Sequence, residues 1–135
     1  MLHEELTGSV IGSFFDVHRA LGFGFREYIY ALALERDLRA KGHRVEREVP
    51  VMIYYRGEPL AAQTIDMVVD QKLIVEIKAR ERLPEDANAQ TFGYLCASDL
   101  ELGLLLHHGR KPRFYRVIYE NRFKVRSGTP VEFDS

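Results

Sequence analysis

The sequence predicts an α/β fold in which two helices precede a mixed, mainly antiparallel sheet, with elements in the order ααβββαββ. Three observations support this prediction. Apolar residues recur at helical spacing near the start of the chain, apolar and polar residues alternate through its middle, and a wholly apolar run follows a later helical segment. With 135 residues, of which 46% are hydrophobic, the chain is long and apolar enough for one domain. We expect this domain to span residues 1–126 and residues 127–135 to form a flexible tail.

Composition and charge narrow the class of protein. The formal net charge of −1 gives no overall attraction to nucleic acid or to a membrane surface. Cys96 is the only cysteine, which excludes a disulfide framework and a zinc site made of four cysteines. The chain starts without the basic and apolar regions of a signal peptide, and it has no apolar stretch long enough to cross a bilayer. We therefore expect a cytoplasmic protein with no membrane partner.

The first two elements are predicted to be amphipathic helices. Apolar residues at helical spacing place the first helix over about residues 3–21. The glycines of Gly22–Phe25 end it, and the second helix runs over about residues 25–41. Glu27 falls on the buried stripe of the second helix, where a carboxylate is costly unless it is paired. It is either an ordinary first-turn acid at a helix N-terminus or a further metal or water ligand directed at the sheet.

The rest of the chain is predicted to form five strands and one more helix. Pro50 places the first strand at a sheet edge or a bulge, because proline cannot donate to a strand ladder. His107 and His108 follow the apolar run of the fourth strand. Adjacent side chains on a strand diverge and bind a metal poorly together, so we expect both histidines at the surface. Strands are predicted over about residues 44–55, 60–69, 73–79, 102–106 and 113–119, and the third helix over about residues 85–98.

The hairpin formed by the second and third strands carries the most informative polar residues. A three-residue loop pairs Val69 with Leu73, and the same register sets Asp66 opposite Glu76. Two facing carboxylates repel each other, and a divalent cation such as Mg²⁺ bound between them removes this cost. Lys78 shares the face of Glu76 and suits a phosphate charge or an attacking water. The alternative is a solvated polar face on which Lys78 pairs with a carboxylate across the strands.

The spacing Asp-x9-Glu-x-Lys in this hairpin resembles the core of the PD-(D/E)XK nuclease superfamily. The segment Gly24–Tyr30 also fits Gly-x-x-Glu-x-x-Tyr, the signature of the GxxExxY family, which looks like a small branch of that superfamily. The resemblance covers about residues 6–119, and the order and spacing of its motifs together make it specific. The chain departs from the family pattern around Gly24 and just before Asp66, but neither departure affects a carboxylate.

This resemblance implies a restriction-endonuclease-like core and a metal-dependent nuclease that hydrolyses phosphodiester bonds in DNA or RNA. Asp66 and Glu76 would hold Mg²⁺, for which Mn²⁺ is an expected substitute, and the Ile77 carbonyl would add an oxygen ligand. Glu27 would complete the acidic cluster as a further catalytic and metal-binding residue. Lys78 would position or deprotonate the attacking water and offset phosphate charge.

Two further groups of residues are expected near the substrate. Gln90 and Tyr94 lie one helical turn apart and match the family's Ala-Gln-x-x-x-Tyr positions, where Gln90 would orient water or hold a phosphate; otherwise both are polar residues at the edge of the core. The segment 110–126 holds seven Lys or Arg residues and one acid, and it forms either a phosphate-binding surface or a solvated last strand. The expected nucleic-acid contacts are Arg80, Arg82, Tyr94, Arg110, Lys111 and Arg113.

Two other functions stay open on the sequence alone. One is a non-catalytic module that keeps the nuclease fold and binds nucleic acid or a partner, although such a module need not retain Asp66, Glu76 and Lys78 together. The other is a magnesium hydrolase that acts on a small phosphate ester, which the lack of a lid-sized insertion disfavours. A homodimer is possible, because small nucleases often need two subunits to span a duplex.

Overall fold

The structure is a computed structural model that describes residues 2–124, and it contains the predicted elements in the predicted order. The predicted tail, 127–135, and the last two residues of the predicted domain lie outside this described part. The helices are α1 (Glu4–Leu21), α2 (Glu27–Ala40) and α3 (Ala87–Cys96), and a short 3-10 helix covers Asn121–Phe123. The strands are β1 (Val45–Tyr55), β2 (Glu58–Val69), β3 (Leu73–Lys78), β4 (Leu102–His108) and β5 (Pro112–Ile118).

The five strands form one sheet in the order β1-β2-β3-β4-β5. Only the β3–β4 pair is parallel, so the predicted mixed, mainly antiparallel sheet is confirmed. The parallel pair requires a crossover, which α3 supplies between β3 and β4. β1 lies at an edge of the sheet and has a neighbouring strand on one side only. Proline, which has no N–H to donate, is tolerated on such an edge strand, as predicted for Pro50.

Helices α1 and α2 cover one face of the sheet, and α3 covers the other. The first face holds the larger core, because two helices and the odd-numbered residues of β3 contribute to it. Buried side chains on this face include Phe14, Tyr30, Leu34, Leu38, Met67, Val75, Ile77 and Leu104. Under α3 lies a smaller cluster that includes Val51, Ile65, Val68, Ile74, Tyr94 and Leu95. Each such fully buried side chain contributes on the order of 1.5–3 kcal/mol by leaving water.

The loop between β2 and β3 has the predicted length. Asp70 and Gln71 take left-handed φ angles of 52° and 56°, and Val69 pairs with Leu73. Side chains from distant parts of the chain anchor this loop: Asp70 Oδ2 lies 2.7 Å from His43 Nδ1, and His43 Nε2 lies 2.7 Å from Ser9 Oγ in α1. The hairpin that carries Asp66 is therefore fixed to the first helix at its closed end.

The expectation that His107 and His108 lie at the surface is wrong. β4 continues through both residues, which pair with β5, and both side chains are buried. His108 stacks on the ring of Tyr30 and its Nδ1 lies 3.0 Å from His18 Nδ1, while His107 Nε2 lies 2.6 Å from the Arg80 carbonyl oxygen. The two side chains diverge as expected, but each face of the sheet is covered at this point.

None of the helices within residues 2–124 is both long enough and apolar enough to span a bilayer.

Candidate active site

The open end of the β2–β3 hairpin is where the two strands separate. Their last paired residues are Met67 and Val75, so Asp66 stands level with Glu76, as the three-residue loop predicted. Instead of continuing the ladder, Asp66 accepts a hydrogen bond through Oδ2 from the Ile77 N–H at 2.9 Å. A carboxylate thus satisfies a strand donor that would otherwise need a backbone partner. The separation leaves room for a ligand beside the end of β3.

Glu76 is buried next to this carboxylate. Its side chain is only 2% exposed, and within residues 2–124 its Oε1 has no hydrogen-bond partner. Burial, and then the hydrogen bond and the negative charge of Asp66, raise the pKa of Glu76 to about 9. Without a cation this carboxyl therefore stays protonated at neutral pH. A cation at the two carboxylates would favour the ionised form of Glu76 instead.

Glu27 approaches the same strand from helix α2. Its Oε2 accepts a hydrogen bond from the Ala79 N–H at 3.4 Å, just beyond the end of β3. Ile77 and Ala79 are two residues apart, so their N–H groups point to the same side of the strand. Asp66 and Glu27 consequently lie along one edge of β3, and the Ile77 carbonyl faces that same edge. Glu27 therefore reaches the end of β3, and its role as a metal or water ligand stays a prediction.

These groups surround a small cavity of about 190 Å³. Two of its residues, Arg47 and Glu48 of β1, were not singled out in the sequence. The β1–β2 register pairs Arg47 with Met67 and Val49 with Ile65, which sets Glu48 level with Asp66. Glu48 has a left-handed φ of 53°, and such strain in a residue with a side chain often marks a functional position. The cavity is lined by Glu27, Tyr28, Ala31, Arg47, Glu48, Asp66 and Ile77.

No sequence signal locates Arg47 and Glu48 at this cavity. The β1–β2 register changes at an irregularity between Ile53 and Tyr54, so counting back from the tight turn gives the wrong partner. Alternation in β1 predicts which residues share a face, but it does not predict which β2 residue they oppose.

Lys78 and Tyr94 lie near the buried carboxyl of Glu76. Lys78 is half-buried, and its charge partly offsets the rise in the pKa of Glu76. Tyr94 is only 3% exposed and donates its hydroxyl to the Thr64 carbonyl at 3.2 Å. Burial, and then the charges of Glu76 and Asp66, raise the pKa of Tyr94 to about 12. Such burial does not agree with the expected contact between Tyr94 and nucleic acid.

Gln90 takes a different position from the buried groups. It is exposed on α3, and its side chain hydrogen-bonds with Tyr94. Tyr94 therefore connects the amide of Gln90 to the acidic pair, because it interacts with Gln90 and with both Asp66 and Glu76. Its predicted role in holding water or a phosphate is compatible with this exposure.

The basic residues predicted to bind nucleic acid lie in two adjoining cavities. Arg82, Arg110, Lys111 and Arg113 line one groove of about 430 Å³ beside the β4–β5 turn. Arg80 lines a more open cavity of about 610 Å³ together with Glu27, Ala79 and Arg26, a further basic residue that the sequence analysis missed. In the groove, Arg110 Nε donates to Glu81 Oε1 at 2.8 Å. Basic side chains thus line both the groove beside the β4–β5 turn and the cavity that contains Glu27.

The donor set fits a small divalent cation. Among the described residues, no three His, Cys, Asp or Glu side chains are grouped closely enough to form a metal site on their own. Magnesium is usually bound through one or two protein carboxylates, with water and substrate as its other ligands. Asp66, Glu76 and the Ile77 carbonyl meet this requirement, and the buried Oε1 of Glu76 lacks a partner that a cation would supply.

Comparison with known families agrees with this geometry. A family model of the PD-(D/E)XK nuclease superfamily matches residues 4–117, from the start of α1 to within β5. The chain belongs to the PD-(D/E)XK nuclease superfamily. Nucleases of this superfamily typically hydrolyse phosphodiester bonds and generally use divalent metal ions. The observed sheet with flanking helices is consistent with the restriction-endonuclease-like core of the superfamily. No curated protein and no solved structure showed significant similarity to the chain.

Proposed function

We propose that this PD-(D/E)XK protein is a magnesium-dependent nuclease that cleaves DNA or RNA at the open end of the β2–β3 hairpin. The observation that carries the proposal is the contact between Asp66 and the buried carboxyl of Glu76, whose Oε1 has no hydrogen-bond partner among residues 2–124. Two acids in this arrangement destabilise the fold unless a proton or a cation separates their charges. A purely structural strand face has no need for such a pair.

Asp66, Glu76 and the carbonyl of Ile77 are the groups that would hold the ion, with Mn²⁺ as a substitute for Mg²⁺. Bound there, the ion would supply Lewis acidity and lower the pKa of a coordinated water. Glu27 lies along the same edge of β3 and would hold further water through its carboxylate. The hydrogen bonds from the Ile77 and Ala79 N–H groups fix both carboxylates before substrate arrives.

Lys78 would act on the water that attacks the phosphate. It follows Glu76 by two residues, and its charge already acts on the carboxyl of Glu76. An ammonium group close to the reacting phosphate offsets the negative charge that develops during attack. Gln90 is exposed at the end of the same cluster and would orient water or a phosphate oxygen through its amide.

The adjoining basic cavities would bind the nucleic-acid backbone. Arg82, Arg110, Lys111 and Arg113 share one groove, and Arg80 lines the cavity that contains Glu27. Phosphates are the acceptors for which guanidinium groups are best suited. A strand bound along these residues would reach the acidic cavity from the side of Arg80.

The Gly24–Tyr30 motif supports assignment to the GxxExxY branch of the superfamily. Gly24 takes a φ of 122°, which glycine adopts at little cost. Glu27 lines the acidic cavity, and Tyr30 is buried, with its hydroxyl donating to the Gly22 carbonyl at 2.5 Å. Each fixed position of the motif therefore has its own physical role.

The proposal is tested with single-turnover cleavage assays on labelled single-stranded and duplex DNA and RNA, with Mg²⁺, with Mn²⁺ and with a chelator. The wild-type chain should cleave at least one substrate only when a metal is present. Asp66→Ala should be inactive, whereas Asp16→Ala, which removes an exposed acid paired with Arg19, should cleave normally. Binding without cleavage under every condition would identify a non-catalytic module instead.

Thermal unfolding gives a second, independent readout for the metal site. Mg²⁺ or Mn²⁺ should raise the melting temperature of the wild-type chain, because a ligand bound only to the native state adds RT ln(1 + [L]/Kd) to its stability. Asp66→Ala should lose this increase, because one of the two carboxylates that would hold the ion is gone. An unchanged metal response in Asp66→Ala would contradict the assignment.

A further inference from the structure

Arg47 is the only arginine that lines the acidic cavity within residues 2–124. Its side chain is 20% exposed, and it shares the cavity with Glu27 and Asp66. Arg47 pairs with Met67 across β1 and β2, so its side chain lies on the face that α2 covers. A guanidinium therefore borders the edge of β3 at which the nuclease site is proposed.

The hydrogen-bonding capacity of this guanidinium is largely unused. Arginine has five N–H donors, and among residues 2–124 Arg47 makes one hydrogen bond, from Nη1 to Glu35 Oε1 at 3.3 Å. Within the same residues its Nε is buried without a hydrogen-bond partner, and its Nη2 forms an ion pair with Glu48 Oε1 at 3.9 Å, which is too long for a hydrogen bond. A buried donor without an acceptor costs free energy. A ligand that brings an acceptor into the cavity would therefore form a hydrogen bond that the protein itself does not provide.

Glu35 holds the guanidinium of Arg47 in place and is at the same time paired with a second arginine. While Oε1 accepts from Arg47, Oε2 lies 2.9 Å from Nη2 of Arg39, which also donates to the Val45 carbonyl at 2.9 Å. One carboxylate is thus shared between two guanidinium groups. Arg47, Arg39 and Glu35 together carry one net positive charge, and the carboxylate of Glu48, 3.9 Å from Arg47 Nη2, balances that charge without forming a hydrogen bond.

We infer that Arg47 binds a phosphoryl oxygen of the nucleic-acid substrate at the cavity, with Glu35 as its positioning residue. The inference rests on the proposed function, because it takes the cavity to be the place where the phosphate enters. The other charged side chains that line the cavity are the carboxylates of Glu27, Glu48 and Asp66, which repel phosphate. The planar guanidinium fork matches two phosphate oxygens, which a point charge does not.

The same oxygens are offered by an internal phosphodiester and by a terminal monophosphate. The test therefore uses two labelled oligonucleotides of one sequence, one with a 5′-phosphate and one with a 5′-hydroxyl. Binding is measured by fluorescence anisotropy in chelator on the full chain carrying Asp66→Asn, in which cleavage is not expected. Arg47→Gln, Arg47→Lys and Glu35→Gln are each added to this background. Arg44→Gln serves as the control, because Arg44 is exposed and, within residues 2–124, its side chain pairs with Glu46.

Arg47→Gln should weaken binding roughly tenfold to a hundredfold, the range for losing a charged hydrogen bond. Arg47→Lys should give a smaller loss because it keeps the charge and loses the fork, and Glu35→Gln should fall between wild-type and Arg47→Gln affinity. The control should bind like its parent. A loss with both oligonucleotides identifies an internal phosphodiester as the partner of Arg47. A loss confined to the phosphorylated one identifies the terminal phosphate.

Unchanged affinity in Arg47→Gln and Arg47→Lys would overturn the inference, whether or not the melting temperature falls, because the loss of a direct phosphate contact must raise Kd. Arg47→Lys keeps the apolar stem and the charge. If Arg47→Gln unfolds, the affinity of Arg47→Lys is compared with that of the Asp66→Asn parent instead. The two proposals fail separately. Cleavage by Asp66→Asn would refute the active site, whereas normal binding by the Arg47 variants in an inactive Asp66→Asn background would refute only the role of Arg47.

Discussion

At the scale of single residues, the site depends on how differently two neighbouring carboxyls are placed. Asp66 accepts a backbone hydrogen bond at the open end of the hairpin, whereas Glu76 is buried beside it. The raised pKa of Glu76 follows from this burial and from the charge of Asp66. Lys78 is the nearby cation on the same strand, and its role can be separated from folding.

Lys78→Met should keep the fold and substrate affinity while lowering single-turnover cleavage by about 100-fold or more, the usual loss when one transition-state contact is removed. The reason is that Lys78 is only half-buried, and its stem can be replaced by the apolar methionine chain. Circular dichroism, anisotropy and cleavage rates measure the three properties. Lys72→Met, at the closed end of the hairpin, should leave all three unchanged. Normal cleavage by Lys78→Met would make this lysine a bystander.

At the scale of secondary-structure elements, α3 packs on the sheet through a close contact at Gly103. A Cβ added there would lie 2.6 Å from Thr91 Cγ2 in α3, nearer than real contacts allow. Gly103→Ala should therefore cost about 1–3 kcal/mol of unfolding free energy. Gly93→Ala should stabilise by about 0.5–1 kcal/mol, because a Cβ at this helical position meets nothing within 4 Å.

Urea unfolding of the two glycine variants and the wild type measures both effects. Because Gln90 and Tyr94 lie on α3, Gly103→Ala should also lower cleavage activity as the helix shifts. Equal stability of Gly103→Ala and Gly93→Ala would show that α3 does not press on β4 in solution.

The packing of α1 and α2 against β4 centres on His108, which predicts how stability varies with pH. Burial, then the charges of His18 and His107, lower the pKa of His108 to about 3, against an ordinary value of 6.5. Between these values the unfolded chain binds more protons at His108 than the native state does. Stability should therefore fall as the pH drops from about 6.5 towards 3, while above 6.5 this group has no effect.

The measurement is the melting temperature between pH 4 and pH 8 for the wild type and for His108→Phe. Phenylalanine preserves stacking on Tyr30 but does not titrate, so the difference between the two curves should be largest at low pH. Titrating groups that do not contact His108 are common to both chains and cancel in this difference. Parallel curves would mean that His108 titrates normally in the folded protein.

At the scale of the whole molecule, the net charge of −1 conceals a strongly uneven distribution. Acids surround the cavity at the end of β3, and basic side chains line the groove beside the β4–β5 turn. A nearly neutral protein can therefore attract nucleic acid through one side of its surface.

Replacing Arg110, Lys111 and Arg113 with alanine should weaken binding of all nucleic-acid sequences alike. Each phosphate contact contributes about 0.9 to the slope of log K against log salt on duplex DNA, so the slope should become shallower by roughly 2–3. Anisotropy titrations over a range of salt concentrations test this expectation. The control replaces Arg36, Arg44 and Arg56, which are exposed and outside the groove, and removes the same charge. An equal loss of affinity in both triple variants would show that binding depends on the net charge of the protein and not on this groove.

Much of the fold was predictable because it depends on residues close together in the chain. Helical periodicity and strand alternation gave the order of the elements, and the three-residue loop set Val69 against Leu73 and Asp66 level with Glu76. A hairpin register depends only on its own turn and on which face is buried. The motifs that indicated the nuclease superfamily are equally local.

Only the tertiary structure decided which distant residues complete the cavity. Arg47 and Glu48 reach it because the β1–β2 register changes at an irregularity and because Glu48 takes a left-handed φ, neither of which alternation encodes. His108 is buried because helices from the other end of the chain cover β4, and Tyr94 is covered because α3 packs over the hairpin. Periodicity assigns a residue to a face, but contacts between elements far apart in sequence determine what lies on that face.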